Sequence, residues 1–413
     1  MLKDYSQKTR AAPVYDVAIK SPLDPAPSLS ARIGRKVYLK REDLQPVFSF
    51  KLRGAYTKIM SLTPEARKRG VIAASAGNHA QGVALASKKL GINAVIVMPV
   101  TTPEIKVKAV KSFGAEVVLH GDAYDDACAH AYALAKKKKL TFVHPYDDPD
   151  VIAGQGTVGM EILNQHEGPL EAIFVPVGGG GLIAGIAAYV KWVQPKTKII
   201  GVEPEDADCL YQAMKAGKRV ELPTVGLFAD GVAVRKIGEE TFRIAHKYVD
   251  EVIRVGNDEI CAAIKDIFAD TRSIAEPAGA LAVAGAKKYA SRGGKAKGDL
   301  IAVVSGANIS FERLRYVAER TTVGEKREVV FAVTLPEKPG GLRKFCNLLG
   351  KRGITEFNYR YFTEKEAHIF VGIQVQDYES EAPALLKKLK AAGLPAFDMT
   401  ENELAKEHVR YMV

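Results

Sequence analysis

The sequence predicts an α/β protein, parallel sheets covered by helices, followed by a smaller ferredoxin-like domain. Three observations carry this. From Ala73 to about Pro204, short β-branched runs alternate with longer amphipathic ones. Four consecutive glycines, Gly178 to Gly181, separate a strand-like run from a helix-like one. The tail from Lys326 to Val413 reads strand, helix, strand, strand, helix, strand.

In order, INAVIVMP, EVVLHG and LTFVHP read as strands, and PEIKVKAVKSFGA and YDDACAHAYALAKKK as the helices between them. Gly91 and Gly114 follow helical runs, where a residue with positive φ ends a helix. The pattern resumes with AIFVPV, the glycine run, the helical LIAGIAAYVKWV and the strand KIIGVEP, and it reaches LIAVVS before Gly306. Phe311 to Gly324 is a polar helix and connector, so a boundary falls there: 1–310, a connector 311–325, and 326–413. In the tail the strands are EVVFAVTL, ITEFNYRYF, AHIFVGIQV and PAFDM, with LRKFCNLLGKR and SEAPALLKKLKAAG as helices. No internal repeat or low-complexity segment interrupts this order.

With 413 residues, 47% hydrophobic and 26% charged, the chain can bury a large core. Met1 to Asp16 lacks the apolar run of a secretion signal and no later segment is apolar for long enough to span a bilayer, so a soluble cytoplasmic protein is expected, with no membrane partner. Cys128, Cys209, Cys261 and Cys346 are far apart and suggest neither a zinc site nor a disulfide framework. The net charge of +11 is densest at Lys136 to Lys139, where it complements a helix C-terminus, so no nucleic-acid partner is inferred.

Three segments carry chemistry. Gly178, Gly179, Gly180 and Gly181 stand between a strand and a helix, where bare backbone N–H groups and the helix dipole suit a phosphate; a flexible turn would need fewer glycines. Ser75-Ala76-Gly77-Asn78-His79-Ala80-Gln81-Gly82 lies between the strand VIAAS and the helix VALASKKL. It reads first as a helix N-cap, and the same N–H groups suit a carboxylate. Lys51, in Ser49-Phe50-Lys51, is not distinguished by spacing from any solvated lysine.

Together these segments resemble, in order, the fold-type II (tryptophan synthase β-like) pyridoxal-phosphate enzymes, and most closely the biosynthetic threonine deaminases. The resemblance runs through KREDLQPVFSFKLRGAY, SAGNHAQG, VIAGQGT, VPVGGGGL, VGLFADGVAV, EPAGALA and VSGAN, and through TEFNYR in the tail. It implies two parallel-sheet subdomains, the smaller spanning about 40–145, and pyridoxal 5'-phosphate as cofactor. Lys51 stands where the family's cofactor-binding lysine stands, and Phe50 would pack on the cofactor ring. Asn78 would meet the 3-hydroxyl, Gly178 to Leu182 the phosphate, and Ser305 the pyridine nitrogen. Ser75, Gly77, Asn78 and His79 would receive the substrate carboxylate. Once freed, Lys51 would take the Cα proton of L-threonine, giving 2-oxobutanoate and ammonia. An alcohol at Ser305 does not keep the ring nitrogen protonated as a carboxylate would, which favours elimination over transamination.

Rival readings remain open at this level. Serine racemases of this fold place a serine acid at position 76, where this chain has Ala76. Relatives with a divalent cation use a carboxylate pair around a VEP segment; Glu203 and Ala207 match, but Cys209 replaces the second acid, so no required metal is expected. Degradative dehydratases normally end near VSGAN, whereas the tail here resembles a single ACT-like regulatory domain answering to isoleucine, with valine as antagonist. A dimerisation role for the tail, and an amino-acid sensor without catalysis, are the alternatives. Glu276 is read equally as a residue beside the cofactor and as a helix N-terminal carboxylate. Phe48 is a candidate to line the pocket that separates threonine from L-serine. By resemblance the protein is a homo-oligomer, expected to be a tetramer.

Overall fold

β-Branched runs become strands throughout the computed structural model, which describes residues 1–294, 298–402 and 404. In chain order these are β1 (Leu23–Pro25), β2 (Val37–Arg41), β3 (Val71–Ala74), β4 (Ala94–Met98), β5 (Glu116–Leu119), β6 (Thr141–Phe142), β7 (Leu170–Pro176), β8 (Lys198–Pro204), β9 (Glu251–Val255) and β10 (Asp299–Val304), then β11 (Glu328–Pro336), β12 (Ile354–Tyr361), β13 (Glu366–Gln374) and β14 (Ala396–Asp398). The chain separates into two units, Met1–Ser310 and Phe311–Val413.

In the first unit, one sheet runs β1-β2-β10-β7-β8-β9 and a second runs β5-β4-β3-β6. Every neighbouring pair is parallel except β1 and β2. Helices cover both faces of such sheets, which is why their strands are apolar without alternation; AVIVM of β4 is buried throughout. The chain leaves the large sheet after Arg41, builds the small one, and returns at Leu170. The functional segments fall at the ends of strands where it crosses between them.

Several elements escape the pattern reading. Met1 to Asp16, which looks only polar, contains the helix Leu2–Ala11. β2, in the sequence VYLKR, ends on Lys40 and Arg41, and both are buried, at 0% and 3% exposure. Its charge hides it, yet it lies inside the large sheet. The helix expected over VALASKKL begins earlier, at Asn78, so Asn78 and His79 belong to its first turn rather than to a loop.

The second unit forms the antiparallel sheet β12-β13-β11-β14, with the helices Gly341–Leu349 and Tyr378–Ala391 contributing to its core through Phe345, Leu385 and Leu389. Numbered within the unit, the order is second, third, first, fourth, as in ferredoxin-like domains. The helix Arg313–Gly324 precedes it. No described helix is long and apolar enough to cross a membrane, and all four cysteines are free.

Candidate active site

A cavity in the first unit is walled by residues far apart in sequence: Phe50, Lys51, Asn78, Gly178 to Leu182, Glu276 and Ser305 among them. Lys51 opens the helix Lys51–Met60. Its Nζ donates to the Pro145 carbonyl at 3.1 Å. Burial lowers its pKa to about 8 against the opposing attraction of the Glu276 carboxylate. A position at a helix N-terminus also disfavours a cation. Two residues on, Arg53 is fully buried and bonds Glu42 and Glu161, with Lys40 also on Glu161. This ion network anchors the helix that presents Lys51.

The glycine run joins β7 to the helix Gly181–Val193, with Gly180 at φ 90° as its N-cap and no side-chain cap bond. A Cβ at Gly179 would collide with the Tyr146 ring, and one at Gly180 would lie 2.6 Å from Ile237. Side chains are thus excluded, and main-chain N–H groups remain as the surface a ligand meets. Leu182 continues the same wall.

Ser305 directly follows β10 and is buried, and its hydroxyl reaches the Ala278 carbonyl only at 3.5 Å. That long contact leaves the hydroxyl available. The Phe50 N–H donates to the Ser305 carbonyl at 3.3 Å, and the Phe50 ring centroid lies 5.4 Å from Lys51 Nζ.

Asn78 is held from both ends. Its Nδ2 donates to Glu276 Oε1 at 2.6 Å, and its Oδ1 accepts from Asn308 Nδ2 at 2.6 Å. Glu276 is the N-cap residue of the helix Pro277–Ser291 but makes no cap bond, so its carboxylate serves the cavity rather than the helix. Burial, reinforced by Asp230, pushes its pKa up to about 7.

The expected carboxylate loop is more divided. Ser75 Oγ accepts from the Gly77 N–H at 3.2 Å, and neither residue walls the cavity. The space where a Gly77 Cβ would stand is open. The His79 ring is buried with its Nε2 2.9 Å from the Val143 carbonyl, and burial with the nearby Lys51 charge takes its pKa down to about 3. A neutral ring so engaged donates to that carbonyl, and His79, like Ser75 and Gly77, is outside the cavity wall. Phe48, at φ 54° and 56% exposed, is outside the cavity wall, contrary to expectation. Sequence reasoning missed Tyr146, Gln155 and Gly231 as wall residues and Asn308 as a partner of Asn78. Asn308 lies in VSGAN, the signal that could have found it.

Glu203 accepts from the Leu210 and Tyr211 N–H groups, both at 2.8 Å, and burial drives its pKa to about 8. Its two oxygens are engaged by the start of the helix Cys209–Ala216.

The cavity suits pyridoxal phosphate on its own chemistry: a lysine depressed in pKa, a side-chain-free helix N-terminus, and a neutral hydroxyl at a strand end. Comparisons with known proteins agree. Residues 14–306 match the family of pyridoxal-phosphate dependent enzymes, and 319–409 match the C-terminal regulatory domain of threonine dehydratase. The chain is 57% identical to the biosynthetic L-threonine dehydratase of Burkholderia multivorans, over 99% of this chain and 81% of that one. It is 55% identical to the chloroplastic biosynthetic threonine dehydratase of Arabidopsis thaliana, over 99% and 69%. Among solved structures, the processed form of threonine deaminase isoform 2 from Solanum lycopersicum superposes with TM-score 0.76 at 50% identity, covering 77% of this chain and 93% of that one. Maize serine racemase gives 0.72 at 32%, covering 76% and 96%.

Proposed function

This chain belongs to the pyridoxal-phosphate-dependent enzymes and, within them, to the biosynthetic threonine dehydratases, and from that premise we propose how its residues convert L-threonine to 2-oxobutanoate and ammonia. The observation that carries the reading is Lys51, an amine with its pKa brought down to about 8, facing a bare glycine turn across one cavity. When bound, pyridoxal phosphate supplies the electron sink that makes the Cα proton of an amino acid removable.

Lys51 would hold the cofactor, and its free amine would take the Cα proton of the substrate; a lowered pKa leaves more of it neutral near pH 7, as a base requires. Gly178 to Leu182 hold the phosphate on main-chain N–H groups. Phe50 covers a face of the ring. Ser305 would offer the ring nitrogen a neutral partner rather than an acid, which suits loss of the β-hydroxyl over transamination. Asn78 donates to the 3-hydroxyl. Ser75 and Gly77, just ahead of the helix Asn78–Leu90, and Asn78 and His79 in its first turn would orient the substrate carboxylate. The departing product, 2-aminocrotonate, hydrolyses to 2-oxobutanoate and ammonia.

Ala76 has no proton to place on the far face of Cα, which disfavours the racemase reading. Dehydration of L-serine is the second activity of this site, since one methyl group separates the substrates by about 1 to 3 kcal/mol. The unit 311–413 is the regulatory part, with isoleucine as inhibitor and valine as antagonist. TEFNYR lies along β12, an edge strand with Phe357 and Tyr359 exposed, which supports a small-molecule contact there. A cytoplasmic homotetramer completes the reading.

The test is 2-oxo acid formation from L-threonine and from L-serine, each with and without isoleucine. Keto acid from neither substrate overturns the catalytic reading. A rate indifferent to isoleucine over a wide concentration range leaves catalysis standing and removes the feedback.

A further inference from the structure

The Asn78 amide is fully assigned by its neighbours. The Val47 carbonyl can only accept, so the end of Asn308 that meets it is the NH2; that NH2 also reaches Asn78, which puts Asn78 Oδ1 towards Asn308 and the Asn78 NH2 towards Glu276 at 2.6 Å. The other end, Oδ1, receives an N–H from Asn308 at 2.6 Å, and the same Asn308 Nδ2 donates to the Val47 carbonyl at 2.9 Å, fixing its own orientation in turn. Val47 is fully buried, so this last anchor does not move with solvent. One glycine makes room. A Cβ at Gly306 would collide with Glu276 Oε1. Gly231 also borders the pair, although a Cβ there would press on Ala278, at 3.0 Å, rather than on Glu276 or Asn78. Asn78 and Glu276 both wall the cavity. After these bonds are counted, one N–H of Asn78 remains uncommitted.

We propose that Glu276 and Asn308 are positioning residues which clamp the Asn78 amide from its two ends, so that its one remaining N–H is presented to the cofactor's 3-hydroxyl oxygen in a fixed direction. The inference rests on the reading of Asn78 given above. Neither residue acts on the substrate. Glu276 polarises the Asn78 amide as well as orienting it, because a carboxylate acceptor strengthens a donor through the rest of the group. Asn308 keeps the amide from turning over and offering oxygen, which would repel an anionic 3-hydroxyl.

The experiment uses the full-length protein, stripped of cofactor and titrated with pyridoxal phosphate, reading the visible absorption band and the dissociation constant alongside kcat and KM for threonine. Asn78→Ala is the reference. Glu276→Ala and Asn308→Ala are each expected to raise the dissociation constant about tenfold, the scale of one hydrogen bond to a charged partner, and to shift the visible band in the direction that Asn78→Ala shifts it. Glu276→Gln, which retains an acceptor, should recover most of the band position, and it keeps the test available if Glu276→Ala does not fold. In the Asn78→Ala background, adding Glu276→Ala or Asn308→Ala should change affinity less than about twofold. Fully additive effects, or single variants with an unaltered band, overturn the clamp while leaving Asn78's own role intact. If Asn78→Ala itself leaves both band and affinity unchanged, the reading of Asn78 falls and the clamp with it.

Discussion

Lys51 has two demands on it, to be held and to be basic, and its surroundings answer both. Its helix is anchored by the buried Arg53 pair, and burial of its amine favours the neutral form. Lys51→Ala should lower kcat for threonine at least about 100-fold, the lower range for a positioned base, while the circular dichroism spectrum stays that of the parent. Loss of less than tenfold would remove the lysine from the reaction. Buried acids make a separate statement about pH. The folded pKa values of Glu203 and Glu276 are raised, to about 8 and about 7, above the ordinary glutamate value of about 4.3. A carboxyl shifted upward holds its proton longer in the folded chain, so its contribution to stability is complete at low pH and is lost as pH rises through the folded pKa. His79 works oppositely: at about 3 against its usual 6.5, it withdraws stability as pH falls through that interval. The cofactor-free protein should therefore lose stability from about pH 4.3 to 8, most steeply above about 6.5 where His79 no longer opposes the two glutamates, a window set by these shifts. Urea midpoints for parent and Glu203→Gln measure it, and an equally steep slope in the variant would assign the loss elsewhere. Little of this was legible beforehand. Lys51 was selected by the motifs around it, whereas the orientation of Glu276 away from its own helix depends on Asn78, almost two hundred residues distant in sequence.

Elements show why some motifs are spelled as they are. The helix Pro149–Gln165 contains VIAGQGT, and it crosses the helix Gly181–Val193 at backbone contact. A Cβ at Gly156 would lie 3.0 Å from the Gly185 carbonyl, one at Gly185 would collide with the Ile152 carbonyl, and one at Gly154 would lie 2.6 Å from the Arg53 carbonyl. These glycines set how closely the helix carrying the phosphate turn approaches the helix carrying Lys51. Gly185→Ala should cost about 1 to 3 kcal/mol, as overpacking does, because the atoms it meets are main chain and cannot swing aside. Denaturant unfolding reads that cost, and an unchanged midpoint would show the crossing to be slack. The βα pattern gave the order of most strands, since buried parallel strands announce themselves as apolar runs. It could not give β2, whose Lys40 and Arg41 are interior charges satisfied by Glu161 and Asp43. Nor could it give the sheet order, because β2 is adjacent to β10 through pairings such as Leu39 with Ala302.

At the scale of the whole molecule, the unit that matches a regulatory domain contains in its interior a specific link between its edge strand and the helix ahead of it. Thr355, the first residue of TEFNYR, sits at a register shift: Ile354 pairs with Ile373 and Glu356 with Gly372, so Thr355 is the extra residue of a bulge on β12. The bulge turns its hydroxyl to the buried Glu328 at 2.5 Å, and Gly372 leaves the space, since a Cβ there would collide with both. Glu328 also accepts from Thr322 at 2.6 Å, on the helix Arg313–Gly324 that follows the catalytic unit in the chain. One carboxylate on β11 thus joins the edge strand to the connecting helix. If isoleucine acts through β12, this is a path by which a change of that strand reaches the connector, and removing the carboxylate's charge weakens both hydroxyl bonds at once. Glu328→Gln should then raise the isoleucine concentration for half inhibition several-fold, about 1 kcal/mol of coupling corresponding to about fivefold, while kcat without isoleucine stays at the parent value. Inhibition curves on the full-length variant decide it. An unchanged half-inhibition concentration would place the coupling on another path, and a fall in the uninhibited rate would show that Glu328 supports the catalytic unit directly.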